Sequence, residues 1–340
     1  MTSRAKPYLT SRVVKRDYVR AQRIGSGTDG YVDLYTQRLR PTKSIVVKYP
    51  KGSKAMLKFS QRNLVQELEA MKIFRPYEQE NIVQLLGWDD ACTPSAPALF
   101  YEYCALGDLV QYRNSLTAAF GRVVPEETLW KFFADIAKGL QFLSTAFVHP
   151  VVHGDIKPAN CLVAMPPGCT DKVPTLPIFK LADFSRATVS KPGEAVPFCG
   201  TWAYAPPMCE RAMVTPAADV YGLGATLQAF AYGAAPTELK PDFIRRLRAC
   251  GCKEKDLPTD EDLATSEAWK SQLPVIYRPL NAKPDEQVKW WGVLEKNVIA
   301  TQYDFDLNCW YAGCLDYDAR TRLSAQDLAC CLVPIAARKI

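Results

Sequence analysis

No stretch of this chain narrows the possible folds as sharply as residues 153–185. It opens with His153-Gly154-Asp155-Ile156-Lys157-Pro158-Ala159-Asn160 and runs into the apolar strand-like Cys161-Leu162-Val163. Later comes Lys180-Leu181-Ala182-Asp183-Phe184-Ser185. A single aspartate is ordinarily a helix cap or a turn residue. Two carboxylates and an amide in this order, with a strand between the halves, are harder to explain that way. Folded together they offer hard oxygen ligands for a divalent ion held on phosphates and leave one carboxylate facing a hydroxyl. In that reading Asn160 and Asp183 hold Mg²⁺. Asp155 orients a hydroxyl and accepts its proton, and Lys157 neutralises charge on the phosphoryl group in transit.

Two earlier features suit the same chemistry. Gly25-Ser26-Gly27-Thr28-Asp29-Gly30-Tyr31-Val32 lies between strand patterns, and its glycines let backbone N–H groups approach phosphate oxygens. A dinucleotide-binding turn would require a helix to start here. The following residues, 31–40, instead continue as strand, so that reading fails. Lys48 ends the apolar strand Ile45-Val46-Val47, and a carboxylate on the next helix would hold its flexible stem against two phosphates. Glu67 is preferred to Glu69 because it flanks the packed face of Leu64, Leu68 and Met71.

The rest of the chain reads as two unlike halves. Strand patterns occupy residues 19–49, 81–88 and 98–104, with one helix at 58–74. After Gly107 helical patterns dominate, notably 126–147 and the apolar 218–230, while residues 238–300 are polar and irregular. With 340 residues, 48% hydrophobic and 23% charged, the chain can bury a large core, which excludes a disordered or low-complexity class. The formal charge of +6 raises nucleic acid as a partner. Yet residues 1–20 hold six cations against Asp17 alone, so the remainder is nearly neutral and a polyanion groove is not expected. The twelve cysteines are scattered without a CxxC pair, and only His149 and His153 are present, which speaks against disulfide staples and His-containing zinc sites. No apolar signal-peptide core opens the chain. The uncharged run 220–237 carries Gly, Gln and Pro and reads as a buried helix, not a membrane span. An intracellular protein of cytoplasm or nucleus is the expectation.

Taken together, GSGTDGYV, IVVK, HGDIKPAN, DFS, CGTWAYAPPM and ADVYGLG resemble the eukaryotic protein kinase family over about residues 17–335. The resemblance implies an α+β bilobal fold, with a small antiparallel-sheet lobe at 17–103 and a larger, mainly helical lobe at 104–335. A basic tail (1–16) and a short C-terminal tail (336–340) would flank them. It implies ATP and Mg²⁺ between the lobes and protein substrates bearing Ser/Thr. Gly25, Gly27, Gly30 and Lys48 would meet phosphates. Tyr101 would be the gatekeeper, Glu102 and Cys104 the hinge groups facing adenine, and Asp108 would sit near the ribose. Val32, Val46 and Leu162 would sandwich the ring. Lys157 resembles the Ser/Thr-directed branch, with Thr201 supporting Asp155 and Lys157, and Asp219 holding the loop backbone. His-Gly-Asp-Ile-Lys is also similar to kinases of large DNA viruses.

Several positions depart from the family pattern. Gly154 replaces the usual Arg, which predicts activity independent of activation-segment phosphorylation, with Thr188 and Ser190 as bystanders. Ser185 replaces the usual Gly, and its Cβ would disfavour positive φ. Met208 replaces the usual Glu, so Arg322 needs another carboxylate, for which Glu210 is the candidate. Val46 stands for Ala, and Ala159 leaves the position before Asn160 uncharged. Besides a Ser/Thr kinase, a pseudokinase scaffold and a small-molecule kinase of aminoglycoside or choline type remain open. Oligomeric state is not legible.

Overall fold

The structure is a computed structural model that describes residues 8–27, 30–51, 54–93, 96–121, 123–265, 268–291, 298–299 and 302–340. Residues 1–7 of the expected tail and Thr28-Asp29 of the glycine-rich turn lie outside these. Five strands form the small lobe: β1 (Tyr18–Ser26), β2 (Tyr31–Gln37), β3 (Ser44–Tyr49), β4 (Leu85–Thr93) and β5 (Ala96–Glu102), in the antiparallel order β1-β2-β3-β5-β4. One helix, α2 (Lys54–Phe74), packs on the face of this sheet that meets the cleft, and buries Leu64, Leu68, Met71 and Phe74 along one stripe. The other face is closed by a helix the sequence does not announce.

That helix is α1 (Ser11–Asp17), capped by Thr10, with Val14 buried among Ile45, Val47, Ala98 and Phe100. Leu9 precedes it and donates its N–H to Leu86 O at 2.7 Å, passing so close to Gly87 that a Cβ there would overlap the Leu9 backbone. The basic tail expected over 1–16 is therefore a folded strap from residue 9 onward. The correction has a simple cause: one valine and one leucine find apolar pockets on the sheet while the cations stay in water. Within the sheet, Asp33 is buried and accepts from Arg20, Arg23 and Tyr49. Burial alone would raise its pKa. These donors more than reverse that and bring it to about 2.

The large lobe begins with α3 (Leu109–Phe120) and α4 (Glu126–Thr145). Short strands follow: β6 (Val151–Val152), β7 (Cys161–Ala164), β8 (Ile178–Leu181) and β9 (Thr188–Val189), paired β6 with β9 and β7 with β8. Next is α5 (Pro216–Tyr232), buried continuously from Ala218 to Tyr232, as its all-round apolar sequence requires. The polar stretch contains α6 (Lys240–Ala249), α7 (Asp260–Thr265) and α8 (Pro284–Trp291), and the chain closes with α9 (Phe305–Cys314), α10 (Ala325–Asp327) and α11 (Val333–Lys339). The expected C-terminal tail at 336–340 is a second correction. Ala336 is fully buried, α11 packs on α4, and Lys339 pairs with Asp304 and with Asp306 at 3.1 Å. No helix among the described residues is long and apolar enough to cross a membrane.

Candidate active site

A cleft of about 930 Å³ lies between the lobes. Its walls include the expected Gly25, Gly27, Gly30, Val32, Val46, Lys48, Glu67, Tyr101, Glu102, Cys104, Asp108, Asp155, Lys157, Asn160, Leu162, Asp183 and Thr201. Strand register explains the convergence. β7 and β8 pair with Cys161 opposite Leu181, so Asn160, just before one strand, and Asp183, just after the other, emerge at the same end. The Ala182 N–H donates to Asn160 O at 2.9 Å and fastens the two together.

Lys48 is fixed on the central strand β3, opposite Val32 on one side and Leu99 on the other. Its Nζ lies 2.6 Å from Glu67 Oε2 and 3.0 Å from Asp183 Oδ1. Glu67, not Glu69, is thus the partner: Glu67 is 2% exposed, while Glu69 pairs with Lys72 on the surface. Burial raises the Glu67 pKa, as does Asp183, against the opposing pull of Lys48 and Tyr101. Burial would also raise Asp183, but Lys48 and a hydrogen bond from Ser185 hold its carboxyl well below the usual range. A charged Asp183 is what a divalent ion needs.

Asp155 sits in a separate network. Its Oδ1 accepts from the Thr201 N–H at 2.7 Å, and its Oδ2 from Lys157 Nζ at 2.7 Å and Asn160 Nδ2 at 3.1 Å. Lys157 Nζ also donates to Thr201 Oγ1 at 2.7 Å. Asn160 Nδ2 further donates to Asp155 O at 2.9 Å, so the amide nitrogen is committed and its oxygen is the group left for a cation. With the charged Asp183, this donor set fits Mg²⁺. The loop is held from behind by Asp219, which accepts from the N–H groups of His153 at 2.6 Å and Gly154 at 2.9 Å. His153 is fully buried, meets Phe184 in a tilted ring contact with centroids 4.6 Å apart, and its Nε2 meets Ala182 O at 3.0 Å.

The departures now have physical readings. Gly154 adopts φ +77°, which costs glycine little and an arginine more. Ser185 adopts no positive φ, as its Cβ requires: the positive φ of 63° belongs to Asp183, while Ser185 occupies a short 3₁₀ turn and donates to the Asp183 carboxylate. Arg322 binds Glu210 in bidentate fashion, Nη2 to Oε1 at 2.6 Å and Nη1 to Oε2 at 2.9 Å. The carboxylate missing at Met208 is replaced from two positions along.

Sequence reasoning misses three contacts. The Tyr101 hydroxyl donates to Glu67 Oε1 at 2.7 Å, Lys180 pairs with Glu102 at 2.9 Å, and Gln66 reaches Ala187 O at 2.8 Å. The tyrosine was a visible signal, its partner was not. Asp108 also caps α3, accepting from the Gln111 N–H at 2.8 Å, which positions it at the cleft mouth.

Residues 18–331 match the family described as Protein kinase domain. Among similar proteins, the serine/threonine-protein kinase ATG1c of Arabidopsis thaliana is 31% identical over 67% of this chain and 28% of its own length. The serine/threonine-protein kinase ULK3 of Rattus norvegicus is 30% identical over 64% of this chain and 42% of its own. The chain thus spans less than half the length of these relatives, and neither is viral. A structure of the CAK complex from Chaetomium thermophilum bound to ATP-gamma-S shares the fold, with TM-score 0.60, 21% identity and 94% of this chain and 91% of that one covered. Cleft, register and sequence therefore agree: this chain belongs to the protein kinase domain family.

Proposed function

We propose that the chain transfers the γ-phosphoryl of MgATP to serine or threonine hydroxyls of protein substrates. The observation that carries this reading is the preserved pair of networks, Lys48–Glu67–Asp183 on the phosphate side and Asp155–Lys157–Thr201 on the hydroxyl side. Gly25, Gly27 and Gly30 line the phosphate end of the cleft, and Val32, Val46 and Leu162 its apolar section beside the hinge. Tyr101 closes the rear as gatekeeper. Glu102 and Cys104 offer hinge backbone groups to adenine, and Asp108 lies where a ribose would sit. Asn160 and Asp183 would hold Mg²⁺, which when bound screens phosphate charge. Lys48 orients the phosphates, Asp155 orients the acceptor hydroxyl and takes its proton, and Lys157 offsets negative charge between them. Lys157 bonded to Thr201 favours serine/threonine acceptors, in keeping with the serine/threonine-protein kinases the chain is similar to.

An intracellular setting follows from the need for ATP, with proteins rather than nucleic acids as substrates. A pseudokinase reading is weakened by the Glu210 replacement, which removes one of its motives. Transfer of radiolabelled γ-phosphate by the purified chain to a generic protein acceptor tests the proposal. Asp155→Ala should lose about 10²–10⁴ in rate while still binding nucleotide, and Asp183→Ala should be silent. Equal incorporation by wild type and Asp183→Ala would overturn it.

A further inference from the structure

We propose that the outer end of the small lobe is a docking surface for bilayers rich in anionic lipid, with Leu39 as the inserting residue. The β2–β3 turn is built firmly: Gln37 N–H donates to Lys43 O at 2.9 Å, Lys43 N–H to Arg40 O at 2.8 Å, and Arg38 N–H to Asp17 O at 2.8 Å. The last bond joins the turn to the C-terminal end of α1, so the cations of the turn lie beside those of the helix. Arg38, Arg40 and Lys43 come from the turn, Arg12 and Lys15 from adjacent turns of α1, and all five are exposed. None of the five side chains has an ion-pair or hydrogen-bond partner among the described residues. The carboxylates of the described residues 8–49 are consumed: Asp17 binds Arg16, and buried Asp33 binds Arg20 and Arg23.

At the tip stands Leu39, 92% exposed between two arginines. A phosphodiester chain has no use for an aliphatic tip. A headgroup layer does, because cations meet lipid phosphates and carboxylates while the leucine enters the acyl boundary. The glycine-rich turn joins the other end of β2, about 20 Å away at roughly 3.3 Å per residue, so the cleft stays open to substrate.

Co-sedimentation of the full chain with vesicles tests this. With phosphatidylcholine containing about 30 mol% phosphatidylserine the chain should pellet, and with phosphatidylcholine alone it should not. Raising salt should weaken binding. Arg40→Gln should lower affinity about fivefold and Leu39→Ser about tenfold. Unchanged melting temperatures would certify both folds, a readout that does not depend on phosphotransfer. Three results would overturn the proposal: no pelleting with the anionic vesicles, equal pelleting with neutral ones, or binding indifferent to Leu39→Ser. Tighter binding to a short RNA duplex than to the vesicles would assign the face to nucleic acid instead and would also overturn it.

Discussion

Glu67 accepts from two elements at once, Lys48 of β3 on one oxygen and Tyr101 of β5 on the other, so it cannot turn away without breaking a bond. The Tyr101 hydroxyl thus helps decide whether α2 stays in place for the cleft. Tyr101→Phe keeps the ring and removes this donor. A lost bond to a charged group is worth about 1.5 kcal/mol or more, so kcat should fall about tenfold with a smaller change in KM for ATP. The sign of the pH effect follows from the same bond. It favours ionised Glu67, whose pKa burial already raises, so its loss raises that pKa further and moves the acid limb of kcat to higher pH. An acid limb that stays put would remove Tyr101 from this role. Gly154 makes a second residue-scale prediction. With no arginine there to be neutralised by phosphate, Thr188→Ala combined with Ser190→Ala should leave turnover within about twofold of wild type in steady-state assays. A large loss would restore the switch.

At the scale of elements, the Arg322–Glu210 pair ties the short turn Met208–Glu210 to the loop before α10. Arg322 is 5% exposed, stacks over Tyr221 at 4.8 Å, and also donates to the carbonyls of Asp316 and Ala217. Glu210→Ala strands a buried guanidinium and should cost roughly 3–5 kcal/mol in urea unfolding, whereas Glu210→Gln, which keeps an acceptor, should cost less. Equal, small losses would mean the carbonyls suffice. The elements also separate what a sequence displays from what it conceals. The strands around Gly25–Gly30 and the stripe of Leu64, Leu68 and Met71 are legible because periodicity reports the face that is buried. The order Asp155, Asn160, Asp183 is legible because phosphoryl chemistry needs those groups whatever surrounds them. α1 is not: in Ser11–Asp17 only Val14 is buried, and a run of cations reads as solvated. Its anchor, Leu9 against Gly87, is a contact across some eighty positions that no local pattern encodes. The Tyr101–Glu67 bond is hidden likewise, since it depends on the rotation of α2 against the register of β5.

At the scale of the molecule, two lobes joined by a hinge would ordinarily be expected to unfold as separable units. Here one hydrophobic cluster runs through both. Leu64, Leu68, Met71 and Phe74 of α2 belong to the same buried cluster as Phe184, Leu227 and Trp130 of the large lobe. Phe74 lies edge-on to Phe184 at 5.0 Å and meets Phe147 at 5.6 Å. The backbone is stitched across the same seam: Val83 N–H donates to Leu181 O and Leu181 N–H to Asn81 O, both at 2.9 Å. A strand of the large lobe is thus bonded to the segment leading into β4. Breaking either lobe exposes the face of the other, which couples their stabilities. Calorimetry of the chain should show one transition. Leu68→Ala, a cavity in the small lobe costing about 2–5 kcal/mol, should lower that same transition rather than split off an early one. Glu210→Ala, far away in the large lobe, should move it too. Two endotherms, with Leu68→Ala shifting only the first, would mean that the lobes touch at the cleft without sharing a core.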